Sequence, residues 1–351
     1  MNIVLKTKLY LRLFTTLSLL LAVAWLSAQD IHFSQYYNSP LTTNPALTGV
    51  SAGDIRFGGL YRSQWSSANS PFKTVQVEAD KKFYTMAHTS WWLSGGVNVF
   101  YDKAGDGNVE NTNVQLSGSF TKMLDRQNFM TIGVSAGFGQ RSFDFGNLTF
   151  DDQWNGQIFD PNRANNESFN DANLIYPDFG VGFNWRGQGN KFMGKERKKV
   201  DLGAGGFHLS RPNQSFKSAD KSRLPIRMSV YILPTIQLNK NGDIVGHASY
   251  HLQGEYREAL AGAGYRHYIS TKKSKELAVQ LGFSYRFNAI GDAFIPAAEL
   301  HYRELMVGLS WDLNVSDFSA ATNRNGGPEI AIRYIIKKVY PLRAFKACPL
   351  I

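Results

Sequence analysis

From residue 54 onward, hydrophobic and polar side chains alternate one by one along most of the chain. In LAVQLGFSYRF (277–287), Leu277, Val279, Leu281, Phe283, Tyr285 and Phe287 fall on one side, opposite Ala278, Gln280, Gly282, Ser284 and Arg286. This period of two marks a β-strand with one apolar and one polar face. The same alternation runs through Met130, Ile132, Val134, Ala136 and Phe138, and again through Leu305, Val307, Leu309, Trp311 and Leu313. The unit recurs as about ten alternating residues and a turn. It predicts strands near 54–62, 73–84, 91–101, 110–122, 129–141, 175–186, 200–209, 226–238, 245–257, 259–270, 276–288, 293–303, 305–314 and 328–337.

About fourteen long strands are too many for one ordinary sandwich, and no linker splits them into two domains. Arg266, Arg286 and Asp312 fall mid-strand on the polar face, and Arg333 joins them as a candidate lumen residue. In lipid such groups are costly, whereas in the interior of a closed barrel they are tolerable. Glycines also gather on the polar face, where they leave room for a crowded interior. The pattern therefore predicts an all-β protein, a transmembrane antiparallel β-barrel with no free strand edge. A soluble secreted all-β protein is the competing reading.

Connection lengths give the barrel a direction. Connections 102–109, 142–174, 210–224 and 315–327 lie at one end, whereas 85–90, 123–128, 239–244 and 271–275 at the other are short. Long connections outside and short turns on the periplasmic side are the usual asymmetry. The turn at 187–199 is a long, basic exception, a contact site for something beneath the membrane or simply a solvated turn. The longest excursion, 142–174, is rich in Asn, Asp and aromatics and could cover the mouth, enter the lumen or bind a surface partner. Asp151, Trp154, Phe159, Arg211, Phe216, Asn323 and Arg324 are the candidate partner-binding residues on these connections.

The chain's start fits export. Lys6, Lys8 and Arg12 precede the apolar run LFTTLSLLLAVAWL and then SAQD, the layout of a secretory signal peptide cleaved after Ala28. The expected organisation is a signal at 1–28, a segment at 29–53 packed under or inside the barrel, the barrel at 54–337, and a periplasmic tail at 338–351. The tail is basic and partly apolar, a packing element or a docking peptide. Removing the signal lowers the formal charge from +10 to +7. The bases are scattered and no nucleic-acid motif accompanies them, so nucleic acid is not an expected partner. Cys348 is the single cysteine, which excludes an intramolecular disulfide.

No catalytic set emerges. The seven histidines lack metal-ligand spacing, and His247 and His251, four apart on a strand, would lie roughly 13 Å from each other. Asp151, Asp152, Asp160 and Asp171 do not follow a calcium-loop pattern. There is no G-x-S-x-G elbow, nucleotide-binding loop or dinucleotide fingerprint. The expectation is a non-enzyme with no cofactor and no metal.

Several stretches carry a family resemblance in a fixed order. They are DIHFSQYYNSPLTTNPALTG (30–49), RFGGLYRSQW (56–65), FHLSRPNQSF (207–216) and GLSWDLNVSDFSAATNRNGGPEIAIRY (308–334). The chain resembles the PorP/SprF family of type IX secretion system membrane proteins from Bacteroidetes, end to end after the signal. The resemblance implies a barrel in the outer membrane of a Gram-negative bacterium. It would support secretion or surface attachment of cargo bearing a C-terminal sorting domain, such as the adhesins of gliding motility. Implied partners are that cargo domain, periplasmic components of the secretion system and outer-membrane lipid. No catalytic residues come with the family. A channel for small solutes or hydrophobic molecules is the alternative, with Arg266, Arg286 and Arg333 tuning anion passage.

Overall fold

In the computed structural model, residues 30–337 are described apart from 66–70, 84–89, 106–107, 145–147, 149, 161, 164–172, 190–196, 217–221, 289–292 and 316–323. Asn323 and Asp171, the signal at 1–28 and the tail at 338–351 lie outside the described residues. The described strands are β1 (Ile55–Gln64), β2 (Phe72–Phe83), β3 (Trp91–Ala104), β4 (Val109–Met123), β5 (Asn128–Ser142), β6 (Asn173–Gln188) and β7 (Lys199–Phe207). They continue as β8 (Arg227–Asn239), β9 (Gly242–Gln253), β10 (Tyr256–Ser270), β11 (Leu277–Asn288), β12 (Ala293–Tyr302), β13 (Leu305–Asn314) and β14 (Asn325–Ile336).

Each strand pairs antiparallel with its neighbours in sequence, and β1 pairs with β14 to close the ring. Closure leaves no exposed strand edge, a requirement in hydrocarbon. The faces follow the alternation. On β11, Leu281 and Phe283 are 63% and 57% exposed, whereas Ser284 and Arg286 are 3% and 5% exposed. Outward aromatics form two bands: Tyr61, Tyr101, Tyr250 and Trp311 toward the end with long connections, and Phe57, Phe83, Tyr302 and Tyr334 toward the end with short turns. Such bands sit where lipid meets water.

Two boundaries differ from the sequence reading. β9 covers Gly242–Gln253 and β10 begins at Tyr256, so the chain turns at Gly254 and Glu255 and not near residue 258. Gly254 has φ +60°, the left-handed region a tight turn uses. The polar residues that read as turn, Asp243 and Glu258, are buried strand residues facing the lumen.

The buried core is inside the barrel, and residues 30–54 supply much of it. Tyr36 and Leu47 cluster with Tyr231, Leu260, Ala293 and Ile295, while Phe33 packs with Leu60 and Ala331. Within this segment, Pro40–Thr43 forms one helical turn and Pro45–Leu47 a 3-10 turn. Asn44 caps the latter, its Oδ1 accepting from the Ala46 N–H at 2.8 Å.

Candidate functional site

The lumenal segment enters at the long-connection end and is fixed at successive levels of the wall. At the top, His208, just past β7, bonds Asp30 through Nε2 at 2.9 Å and Asp178 through Nδ1 at 3.0 Å. Arg227 lies 3.3 Å from the same Asp30 carboxylate. Burial alone would hold the His208 imidazole down, but Asp30 and Asp178 outweigh it and raise it to about 9. A histidine raised in this way contributes stability that is complete below its unfolded value, about 6.5, and lost as pH passes 9. Protease or exchange protection at residues 30–33 is expected to weaken between pH 7 and 10. His208→Gln should flatten that profile.

Below this lies a charged layer. The Asp312 carboxylate accepts from Arg62 at 2.7 Å, Arg286 at 2.8 Å and the Ser34 hydroxyl at 2.7 Å. Glu329 accepts from the Ser34 and Gln35 N–H groups at 2.9 and 2.6 Å. Further down, the Asn38 amide donates to Glu299 at 3.2 Å. Strands β2 and β4 hold the second half of the segment. Glu78 accepts from the Leu41 N–H at 3.1 Å, and the Ser119 hydroxyl donates to the Thr48 carbonyl at 2.7 Å. Glycines of β5 and β6 admit its backbone: a Cβ on Gly133 would lie 2.4 Å from the Ala46 nitrogen, and one on Gly182 1.7 Å from Asn44 Oδ1.

All four sequence-predicted lumen residues face inward, but they do not form one group. Arg286 and Asp312 bind each other beneath the upper mouth. Arg266 donates to Gln280 at 2.7 Å, and Arg333 to Asn38 at 3.3 Å, nearer the short-turn end. The lumenal partners Ser34, Gln35 and Asn38 escaped notice as site residues. Their only sequence signal was a polar and aromatic segment that did not alternate.

The exposed candidates sit on the long connections. Between β5 and β6, Asp151–Gln153 forms a 3-10 turn, and Trp154 bridges Phe159 in a miniature hairpin. Asn155 Oδ1 accepts from the N–H groups of Gln157 and Ile158, and Gly156 turns the chain at φ +98°. The Asp160 N–H donates to the Gln153 carbonyl at 2.9 Å, closing the frame. This frame holds Trp154, Ile158 and Phe159 out to solvent, at 54%, 64% and 41% exposure. Phe216 meets Phe143 edge to face with ring centroids 4.6 Å apart, so it braces two connections against each other. Arg211 and Arg324 are exposed with left-handed φ of 45° and 62°. Among the described residues the candidates thus divide into an apolar hairpin tip and separate rim positions. A cavity of about 370 Å³ opens on this side between the rim and Asp30–His32. On the opposite side, Arg197 of the basic 187–199 turn is folded back, paired with Asp243 at 2.9 Å and stacked on Tyr268.

A closed barrel with a lipid-facing apolar exterior and a polar, occupied lumen is an outer-membrane protein of Gram-negative type. The family model of the type IX secretion system membrane protein PorP/SprF matches residues 26–334, and the chain belongs to that family. It is therefore a membrane component of type IX secretion. No curated protein matches the chain. Among solved structures it is similar to the CymD monoaromatic hydrocarbon channel, at 10% identity over 86% of this chain and 93% of that one, with TM-score 0.49. A FadL homologue of Pseudomonas aeruginosa is similar at 8% identity over 85% and 94% of the two chains, also with TM-score 0.49.

Proposed function

We propose that the barrel is a non-catalytic platform that holds the C-terminal sorting domain of a type IX-secreted cargo, such as an adhesin, at the cell surface. The observation that carries this reading is the hairpin at 150–160. A large aromatic and two further apolar side chains are held in water by a hydrogen-bonded frame that spends its polar groups internally. Exposed aromatic anchors on a rigid support are the usual core of a protein-binding surface. Arg211 and Arg324 supply a polar rim. The occupied lumen suits a platform better than a conduit, because solute passage would require displacing the lumenal segment from the wall. The energy for export comes from elsewhere in the machinery, since the sequence carries no nucleotide-binding loop.

Deleting residues 143–172 is expected to leave a membrane-inserted barrel with heat-modifiable gel mobility while releasing cargo from the cell surface. Trp154→Ala with Phe159→Ala should release most of it, since buried aromatic anchors are each typically worth about 2 kcal/mol or more. Undiminished surface cargo on cells with a correctly inserted deletion variant would remove the hairpin from the docking site.

A further inference from the structure

The cavity at the long-connection end is lined at two levels by neighbouring strands. Thr74 of β2 stands opposite Asp102 of β3, Asp102 opposite Asn111 of β4, and Asn111 opposite Arg141 of β5. All four line the cavity of about 370 Å³. With strands about 4.8 Å apart, this polar rung runs about 14 Å around the inner wall. Phe72, Ala104 and Val109 line the cavity two residues nearer the mouth on the same strands, about 7 Å above the rung. Trp65 meets Phe72 edge to face at 5.1 Å, so the apolar level ends in an aromatic corner. Asp30, Ile31 and His32 of the lumenal segment, with Gln214 and Leu224 from the connection after β7, complete the lining.

The rung has hydrogen-bonding capacity to spare. Among the described residues, the Asp102 side chain is hydrogen-bonded only by the Thr74 hydroxyl, at 2.6 Å, and that of Arg141 only by Gln214, at 3.1 Å. Asn111 Oδ1 has no partner among them. One carboxylate offsets one guanidinium, so a small ion would meet repulsion as well as attraction. Asp102 and Arg141 stand two strand spacings apart, about 10 Å, whereas the charges of a free amino acid flank a single carbon. A wholly apolar guest would leave the rung dry and unpaired, which is costly.

A hydroxyl both donates and accepts, so adjacent hydroxyls can meet a carboxylate, an amide and a guanidinium in turn. The carbon–hydrogen face of a sugar ring also suits the negative face of an aromatic ring. The volume falls within the roughly 300–1,000 Å³ of small-molecule sites. We propose that this cavity binds one sugar unit of a saccharide. Its hydroxyl edge lies along Thr74, Asp102, Asn111 and Arg141, and its ring face lies on the Trp65–Phe72 corner. The cavity shares no lining residue with the hairpin at 150–160, so the site is separate from cargo docking.

The test uses the full mature barrel in nanodiscs and saturation-transfer difference NMR. The probes are the methyl glycosides of glucose, galactose, mannose, rhamnose and N-acetylglucosamine. At least one is expected to bind, with transfer to its ring protons. Asp102→Ala with Asn111→Ala should weaken that binding about tenfold or more, and Phe72→Ala about threefold. Asp102→Asn keeps a hydrogen-bonding group and should lose less, which separates recognition from a folding defect. Lys103→Gln with Glu110→Gln, an exposed pair on the outer side of the same strands, should change it less than twofold. Silence from every glycoside, or equal loss in the outer-side variant, would overturn the proposal. So would displacement of the glycoside by equimolar leucine or toluene, which would mark a zwitterion or apolar site. Displacement by purified lipopolysaccharide would assign the sugar to a lipid-borne glycan, and its absence to a soluble saccharide. Trp154→Ala with Phe159→Ala should leave glycoside affinity unchanged, so the cargo reading can fail without this one.

Discussion

Asp312→Ala is expected to destabilise the folded barrel by about 3–5 kcal/mol, the usual cost of removing one partner from a buried ion pair. Asp312 lies between two buried guanidinium groups and also holds Ser34. Without it, Arg62 and Arg286 retain among the described residues only more distant carboxylates, Glu329 at 3.7 Å and Glu258 at 3.6 Å. The lumenal segment loses its Ser34 anchor in the same step. Urea unfolding of barrel in lipid vesicles measures the loss, and Asp312→Asn, which keeps an acceptor but no charge, should fall between the two. An alanine variant that unfolds at the wild-type urea concentration would show that the layer contributes little.

Gly133→Val combined with Gly182→Val is expected to turn a closed barrel into a conducting one. Added side chains would meet the backbone of Pro45 and Ala46 and the amide of Asn44, which no small side-chain shift can clear. Asn44 is locked, donating to the Phe183 carbonyl at 2.8 Å and to Tyr231 at 3.0 Å. The glycines' neighbours on the outer face are untouched, so strand pairing should survive. Overpacking of this kind costs about 1–3 kcal/mol, and displacing residues 44–47 relieves it. Planar-bilayer recordings should show stable currents for the double variant and silence for the wild type. Silence in both, with insertion confirmed, would mean that the segment moves aside without opening a path.

Much of the wall was legible in the sequence because a strand's two faces are set by local alternation. Leu281 and Phe283 had to point away from Ser284 and Arg286 whatever their neighbours were. The count of about fourteen, the asymmetry of the connections and the inward direction of Arg266, Arg286, Asp312 and Arg333 follow from the same rule. The rule failed at 242–258, where Asp243 and Glu258 resemble turn residues by polarity. Inside this barrel they are strand residues, made tolerable by Arg197 for Asp243 and by Arg286 and the Tyr256 hydroxyl for Glu258.

The family order of motifs included residues 30–49 but did not say whether they lie beneath the barrel or within it. That depends on partners hundreds of residues away, such as Ser34 with Asp312 and Asn44 with Tyr231. The sequence by itself thus determined the wall, its two faces and the asymmetry of its connections. Only the tertiary structure decided what fills the lumen and which charges face each other there. Alternation is a property of neighbours along the chain, whereas charge pairing inside a closed ring depends on which strands face each other across it.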